Sequence, residues 1–106
     1  MASDKEYLDY ILEQLSETDG ITYKPMMGEY ILYCRGKIFG GIYDNRFLVK
    51  PTKSAKELMP DAESALPYEG AKEMLLADNV EDKEFLRDLI NAICEDLPEK
   101  KKTKRY

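Results

Sequence analysis

Residues Tyr30–Lys50, "YILYCRGKIFGGIYDNRFLVK", alternate short β-favouring runs with two-residue turn signals. The separators Gly36-Lys37 and Asp44-Asn45 are short enough to require antiparallel hairpins, and the first turn is centred on either Arg35-Gly36 or Gly36-Lys37. The same pattern reaches back across Gly28-Glu29, so the sequence predicts four consecutive strands, a β-meander. These strands are Thr22–Met26, Tyr30–Arg35, Ile38–Tyr43 and Arg46–Lys50, followed by Pro51, which ends the ladder because it has no N–H to donate.

Gly40 and Gly41 lie side by side within the third predicted strand. Phosphate-binding glycines stand where a strand turns into a helix and free N–H groups meet the anion, whereas this pair has strand on both sides. A glycine inside a strand more commonly marks a β-bulge or a close approach of another side chain to the backbone. We therefore interpret the pair as a packing feature of the sheet rather than a ligand site.

A helical pattern precedes the meander. Apolar side chains recur at spacings of three and four over Asp4–Glu17, which predicts an amphipathic helix. Ser3 and Glu6 fit a capping box at its start, and Gly20 fits the stop after its end.

The sequence after Pro51 predicts further elements. Residues 52–59 are expected to form a short helix, with Thr52 or Ser54 as its cap and Pro60 after its end. The segments "ALPYEG" and "EMLLA" predict short strands, although the second also fits part of a helix. A final amphipathic helix follows a cap at Asn79 and ends at Leu97.

Side-chain alternation across the hairpins divides the meander into two faces, provided that no bulge intervenes. The predicted core face, covered by the helices, holds Ile31, Tyr33, Ile38, Gly40, Ile42, Phe47 and Val49. The other face holds Tyr30, Leu32, Cys34, Phe39, Gly41, Tyr43, Arg46, Leu48 and Lys50. Its aromatic, Leu, Arg and Lys side chains are typical of protein interfaces, although helices on both sides of the sheet would explain them equally well.

An interaction surface is predicted on that second face. Its members are Tyr30, Leu32, Phe39, Tyr43 and Leu48. An apolar patch that is exposed to water commonly marks a contact site. We expect a second copy of the chain to cover it in a homodimer.

Length and charge predict one domain and a basic tail. The chain has 106 residues, with 16 Lys and Arg and 21 Asp and Glu. We expect a single α+β domain over residues 1–98 and a basic, flexible tail over residues 99–106. The tail holds five Lys or Arg and one Glu, so residues 1–98 carry 11 basic and 20 acidic side chains, a net charge of −9. Such a body repels phosphate backbones, so nucleic-acid binding is expected to be weak and confined to the tail.

The residue inventory favours a non-enzyme. No histidine is present, which excludes His-dependent nucleophilic and metal sites. Cys34 and Cys94 have no CxxC spacing and are predicted to be reduced core thiols of a cytoplasmic protein. No signal peptide or membrane-length apolar run is recognisable. We therefore predict no catalytic, cofactor-binding or metal-ligating residue and no membrane partner.

Residues Tyr23–Thr52, "YKPMMGEYILYCRGKIFGGIYDNRFLVKPT", resemble the N-terminal domain of the TfoX/Sxy competence regulators. The family pattern comprises a Met-aromatic-Gly start, a "GLYxxGKxFG" hairpin, an acidic turn and a "LYLK" strand. The matching positions are Met27-Gly28, Ile31–Tyr33, Gly36-Lys37, Phe39-Gly40, Asp44-Asn45 and Phe47–Lys50. The likeness extends over Asp4–Pro98, because the later "PYEG" and the final helix also fit.

The resemblance implies a two-layer, secretion-chaperone-like α+β fold of helix, meander, short helix, further strands and final helix. It also implies a link to the regulation of DNA-uptake genes and supplies no catalytic motif. Two functions follow as expectations. The first is a regulatory or adaptor domain that acts through protein contact with a partner that the sequence does not name, and the alternative is a nucleic-acid-binding transcription or competence regulator.

Overall fold

The computed structural model describes residues 3–77 and 79–98, which form an α+β fold of one six-stranded antiparallel sheet and three helices. The predicted basic tail, residues 99–106, lies outside the described residues. In chain order the elements are α1 (Lys5–Gln14), β1 (Ile21–Met26), β2 (Glu29–Cys34), β3 (Lys37–Tyr43), β4 (Arg46–Val49), α2 (Lys53–Leu58), β5 (Ser64–Ala65), β6 (Met74–Leu76) and α3 (Lys83–Asp96).

The predicted meander is confirmed, and its four strands agree with the sequence to within one residue at each end. The strand order is β1-β2-β3-β4-β6-β5, so β6 and then β5 extend the meander beyond β4. Each meander turn has two central residues with positive φ, at Met27-Gly28, Arg35-Gly36 and Asp44-Asn45. Paired positive φ angles match the right-handed twist of the flanking strands and fix the two-residue hairpins.

A β-bulge in β3 changes which side chains face the core. Tyr33 pairs with Ile38, but Leu32 pairs with Gly40, so Phe39 is an additional residue on β3. An extra residue reverses side-chain alternation beyond the bulge relative to a regular hairpin. The two predicted faces are therefore wrong for β2 and for the start of β3, because they assume an unbulged pairing.

The core lies on one side of the sheet, under the helices. Its fully buried strand residues are Leu32, Cys34, Phe39, Ile42, Phe47 and Val49, which pack with Leu8, Ile11 and Leu15 of α1 and with Leu86, Leu89, Ile90 and Ile93 of α3. The buried residue of α2, Ala55, belongs to the same cluster. All three helices thus contribute to one core on one face, which makes the domain two-layered.

Ser3 and Glu6 do not form the predicted capping box. The N-cap of α1 is Asp4, which makes no side-chain capping bond. The Ser3 hydroxyl instead donates to Glu29 Oε1 (2.5 Å) and accepts from the backbone N–H of Asn45 (3.0 Å). These bonds attach the start of α1 to the β1–β2 and β3–β4 turns, which the local sequence pattern could not reveal.

The caps of the other helices are partly as predicted. Thr52 caps α2, because its hydroxyl accepts from the N–H of Ala55 (3.2 Å). The cap of α3 is Asp82, which accepts from Phe85 N–H (3.0 Å), and not Asn79.

Asp96, in the last turn of α3, joins that helix to the start of α2. One carboxylate oxygen of Asp96 accepts from the Ser54 N–H (2.8 Å). This bond favours the charged form and lowers the pKa of the carboxyl group below its usual value. The contact fixes the end of α3 against the first turn of α2.

The segment between α2 and α3 is less regular than predicted. Residues Met74–Leu76 of the predicted strand "EMLLA" form β6 and pair with β4, whereas most of "ALPYEG" consists of turns and only Ser64–Ala65 forms the two-residue β5. No helix within residues 3–77 and 79–98 has the length and apolar composition needed to cross a bilayer.

Candidate interaction surface

The structure does not bring the five residues of the predicted interaction surface together on an exposed face. Leu32 and Phe39 are fully buried in the core, and Tyr30 packs against that core. Tyr43 and Leu48 lie on the opposite face of the sheet, where they are also buried. The expectation that these side chains form one exposed patch is therefore wrong, because the bulge at Phe39 turns the first group inward.

The opposite face of the sheet, which we call the outer face, carries a second set of apolar side chains. The register places Ile31, Gly41, Leu48 and Leu76 in one row across four strands, and the Tyr33–Ile38 pair lies further along the same face. Ile38 is 38% exposed, and Ile31, Tyr33 and Leu76 are half-buried. None of these residues belongs to the core cluster that the helices cover.

Tyr43 partly covers the outer face from within the chain. A Cβ atom at Gly41 would lie 2.6 Å from the Tyr43 ring, so the glycine allows the ring to lie against the strand. The Tyr43 ring also contacts the ring of Tyr68, with 6.2 Å between centroids. Arg46 donates to the carbonyl oxygen of Leu66 (2.9 Å), which holds the 66–73 loop against β4.

Two adjoining grooves share Ile38 and Lys50 on the outer face, and the first extends past the β2–β3 turn to the end of α3. The first has a volume of about 430 Å³ and is lined by Tyr33, Gly36, Lys37, Ile38, Lys50, Leu97 and Pro98. The second has a volume of about 560 Å³ and is lined by Ile38, Gly40, Tyr43, Lys50, Pro51, Pro67, Tyr68, Ala71, Lys72, Glu73 and Met74. Apolar and aromatic side chains form most of both linings, and lysines supply most of the charge.

Lys37 has a structural role at one end of the first groove. Its ammonium group donates to the carbonyl oxygens of Cys94 (3.1 Å) and Leu97 (3.3 Å) at the end of α3. A cation at a helix C-terminus satisfies carbonyls that have no intrahelical partner and complements the helix dipole. Lys50 and Lys72 have no hydrogen bond or ion pair through their ammonium groups within residues 3–77 and 79–98.

The two cysteines lie together in the core, as free thiols. Cys94 Sγ donates to the carbonyl oxygen of Cys34 at 3.4 Å. Burial, followed by the neighbouring Cys94, raises the pKa of the Cys34 thiol to about 11. The thiolate is the nucleophilic form, so this environment opposes covalent catalysis at Cys34.

We expect Cys34 and Cys94 to resist alkylation in the folded protein. A rise in the Cys34 pKa from 9.0 to about 11 reduces its thiolate fraction at pH 8 about 100-fold, and burial excludes the reagent as well. Mass spectrometry after iodoacetamide treatment at pH 8 should find both thiols unmodified in buffer and modified in denaturant. Rapid labelling of either thiol in the native protein would contradict this account.

The other potentially reactive side chains do not form a catalytic or metal site within the described part of the chain. No cluster of three or more Cys, Asp or Glu side chains that could hold a metal ion occurs there. The Glu29 carboxylate accepts hydrogen bonds from the Ser3 hydroxyl and from the backbone N–H of Asp44 (3.2 Å). It therefore stabilises the turns of the meander. The second groove could not be predicted from the sequence, because the bulge in β3 and the path of the 66–73 loop create it.

Comparison with known proteins identifies the family. The family model of the TfoX N-terminal domain matches residues 13–95, which include the whole sheet, α2 and nearly all of α3 but only the last two residues of α1. The chain is also 35% identical over 105 residues to a Spirochaeta aurantia protein described as an uncharacterized 12.7 kDa protein in the trpE 5′ region, and the match covers 98% of this chain and 91% of that protein. No solved structure matches the chain significantly. The chain therefore belongs to the TfoX N-terminal domain family.

Proposed function

We propose that this protein is a non-enzymatic regulatory or adaptor domain that binds another protein through the outer face of its sheet. The observation that carries the proposal is the apolar groove lined by Ile38, Tyr43 and Tyr68 on the side of the sheet opposite the helical core. An apolar surface rimmed by charged residues is typical of a protein-binding site.

Three observations support contact rather than catalysis. The TfoX resemblance implies a regulatory role and supplies no catalytic motif. The buried Cys34 thiol is held in its neutral form. The described residues that line the grooves include no histidine and one carboxylate, Glu73, so they supply no paired acid and base.

The alternative function, nucleic-acid binding, is less compatible with the charge of the domain. Residues 1–98 carry a net charge of −9, which repels a phosphate backbone at long range. We expect affinity for duplex DNA no tighter than the non-specific range of about 10⁻⁴–10⁻⁶ M at physiological salt. A gel-shift titration measures this, and a sequence-selective nanomolar complex would establish the alternative function instead. Loss of weak binding on deletion of residues 100–106 would place that affinity in the tail.

Affinity capture from lysate of the source cells tests the proposal with matched variants. The outer-face variant combines Ile38→Asp and Tyr68→Asp, whose parent side chains are 38% and 58% exposed. The control combines Tyr10→Asp on α1 and Leu58→Asp on α2, which are 40% and 41% exposed. We expect the parent and the control to capture the same protein and the outer-face variant to lose it. Equal capture by all three, or by none, would contradict the proposal.

A further inference from the structure

The charge of the grooves differs in sign from that of the whole protein. Lys50 lines both grooves, Lys37 lines the first and Lys72 lines the second, whereas Glu73 is the one acidic side chain among the described residues of either lining. Because Lys50 and Lys72 lack an ion-pair partner in the described parts of the chain, their charges are available to a ligand. The site is therefore locally positive although the protein has a net charge of −5.

The elements around the sheet distribute charge in the same way. Residues 21–50, which contain β1 to β4, carry five basic and two acidic side chains, and residues 3–20 carry one basic and six acidic. Residues 79–98, which contain α3, carry two basic and six acidic side chains. Residues 51–77 add three basic and five acidic side chains, so of these four segments the one that contains β1 to β4 alone has an excess of basic groups. Such separation favours partners with negative charge at the sheet and disfavours them at the helices.

The apolar floor of the grooves sets a second requirement for a ligand, in addition to negative charge. Ile38 and Tyr68 expose apolar surface there, and Tyr33 and Met74 are half-buried beside them. A purely ionic ligand would leave this surface in water. A ligand that combines carboxylates with an aromatic or aliphatic side chain would satisfy both features, because buried apolar area supplies affinity and charge complementarity supplies orientation and rate.

Two other occupants fit less well. A second copy of the chain placed outer face to outer face would bring Lys50 and Lys72 close to the same residues of its partner, and like charges in an interface oppose association. A long nucleic acid would extend beyond the grooves toward the acidic helical layer, where its phosphates would be repelled.

We propose that the joined grooves bind a short acidic segment of a partner protein. An aromatic or aliphatic side chain of the segment packs against Ile38 and Tyr68, and its carboxylates pair with Lys50 and Lys72. The proposal rests on the proposed function, since it names the chemistry of the partner for the same surface.

Selection from a phage-displayed library of random dodecapeptides tests this chemistry without a known partner. The selected peptides should be enriched in Asp and Glu and contain an aromatic or aliphatic residue. Their affinity should fall about tenfold or more in a Lys50→Glu/Lys72→Glu variant and should also fall as salt is raised. A Lys53→Glu/Lys56→Glu variant makes the same change in net charge on α2 and should bind as the parent does.

The inference would be overturned if selection enriched no peptide, or enriched neutral or basic peptides. It would also be overturned if both charge-reversal variants lost affinity equally, or if a single-stranded 20-nucleotide DNA bound more tightly than any selected peptide.

These results are distinguishable from failure of the proposed function. If lysate capture yields a protein that depends on Ile38 and Tyr68 while selection returns neutral peptides, protein binding stands and the acidic partner is wrong. If lysate capture yields no protein, the proposed function itself fails.

Discussion

Replacing Phe39 with alanine is expected to lower the free energy of unfolding by about 3–5 kcal/mol, the usual cost of removing a buried phenylalanine ring. Phe39 is fully buried, and its ring packs edge-on against Phe47 with 6.3 Å between centroids. The total stability of a domain of this size is about 5–15 kcal/mol, so the loss would be a large fraction of it. Urea unfolding monitored by circular dichroism measures the change.

The adjacent residue provides the control for Phe39. Ile38 is 38% exposed on the outer face, so Ile38→Ala should cost less than about 1 kcal/mol. A regular hairpin without the bulge would place Ile38 on the core face and Phe39 on the other. A larger loss of stability at Ile38 than at Phe39 would therefore contradict the observed register.

Substitution of Gly40 by alanine should be the second most damaging change, with a cost of about 3 kcal/mol or more from overpacking against backbone. A Cβ atom at Gly40 would overlap the Leu48 carbonyl oxygen and lie 2.9 Å from Val49 Cα. Both atoms belong to the backbone around β4, so no side-chain rotation relieves the overlap. Thermal or denaturant unfolding of Gly40→Ala measures the loss.

Gly70 is the control for backbone strain without overlap. Its φ is +87°, and no atom lies within 4 Å of a Cβ placed there. Gly70→Ala should therefore cost about 1 kcal/mol, which reflects the left-handed conformation alone. If Gly40→Ala lowered the free energy of unfolding no more than Gly70→Ala does, the close approach of the β4 backbone to Gly40 would be contradicted. An unchanged unfolding transition with loss of a bound phosphate metabolite would restore the ligand interpretation of the glycine pair.

The meander could be predicted from the sequence because its information is local. Two-residue turn signals around Gly36 and at Asp44-Asn45, separated by β-favouring runs, indicate consecutive antiparallel hairpins. The sequence did not decide between Arg35-Gly36 and Gly36-Lys37 as the centre of the first turn, which the structure places at Arg35-Gly36. The glycine pair in β3 also indicated a bulge or a close approach, and the structure contains both, the bulge at Phe39 beside Gly40 and the Tyr43 ring against Gly41.

The sequence could not predict which side chains of the sheet face the core. One inserted residue in a strand reverses the face assigned to every side chain beyond that residue. Leu32 and Phe39 were assigned to an exposed surface on that basis, although both lie in the core. The path of the 66–73 loop could not be predicted from local sequence patterns either. Arg46 fixes the loop through a long-range bond to Leu66, and Tyr68 reaches the groove for that reason.

Site-specific photocrosslinking in the source cells tests most directly whether the outer face binds a protein. A photoreactive phenylalanine analogue at Ile38 lies in the shared part of the two grooves, and the same analogue at Tyr10 lies on α1 with nearly equal exposure. The account predicts a protein adduct at Ile38 that is absent at Tyr10. Adducts of equal yield at both positions, or adducts at Tyr10 alone, would contradict it.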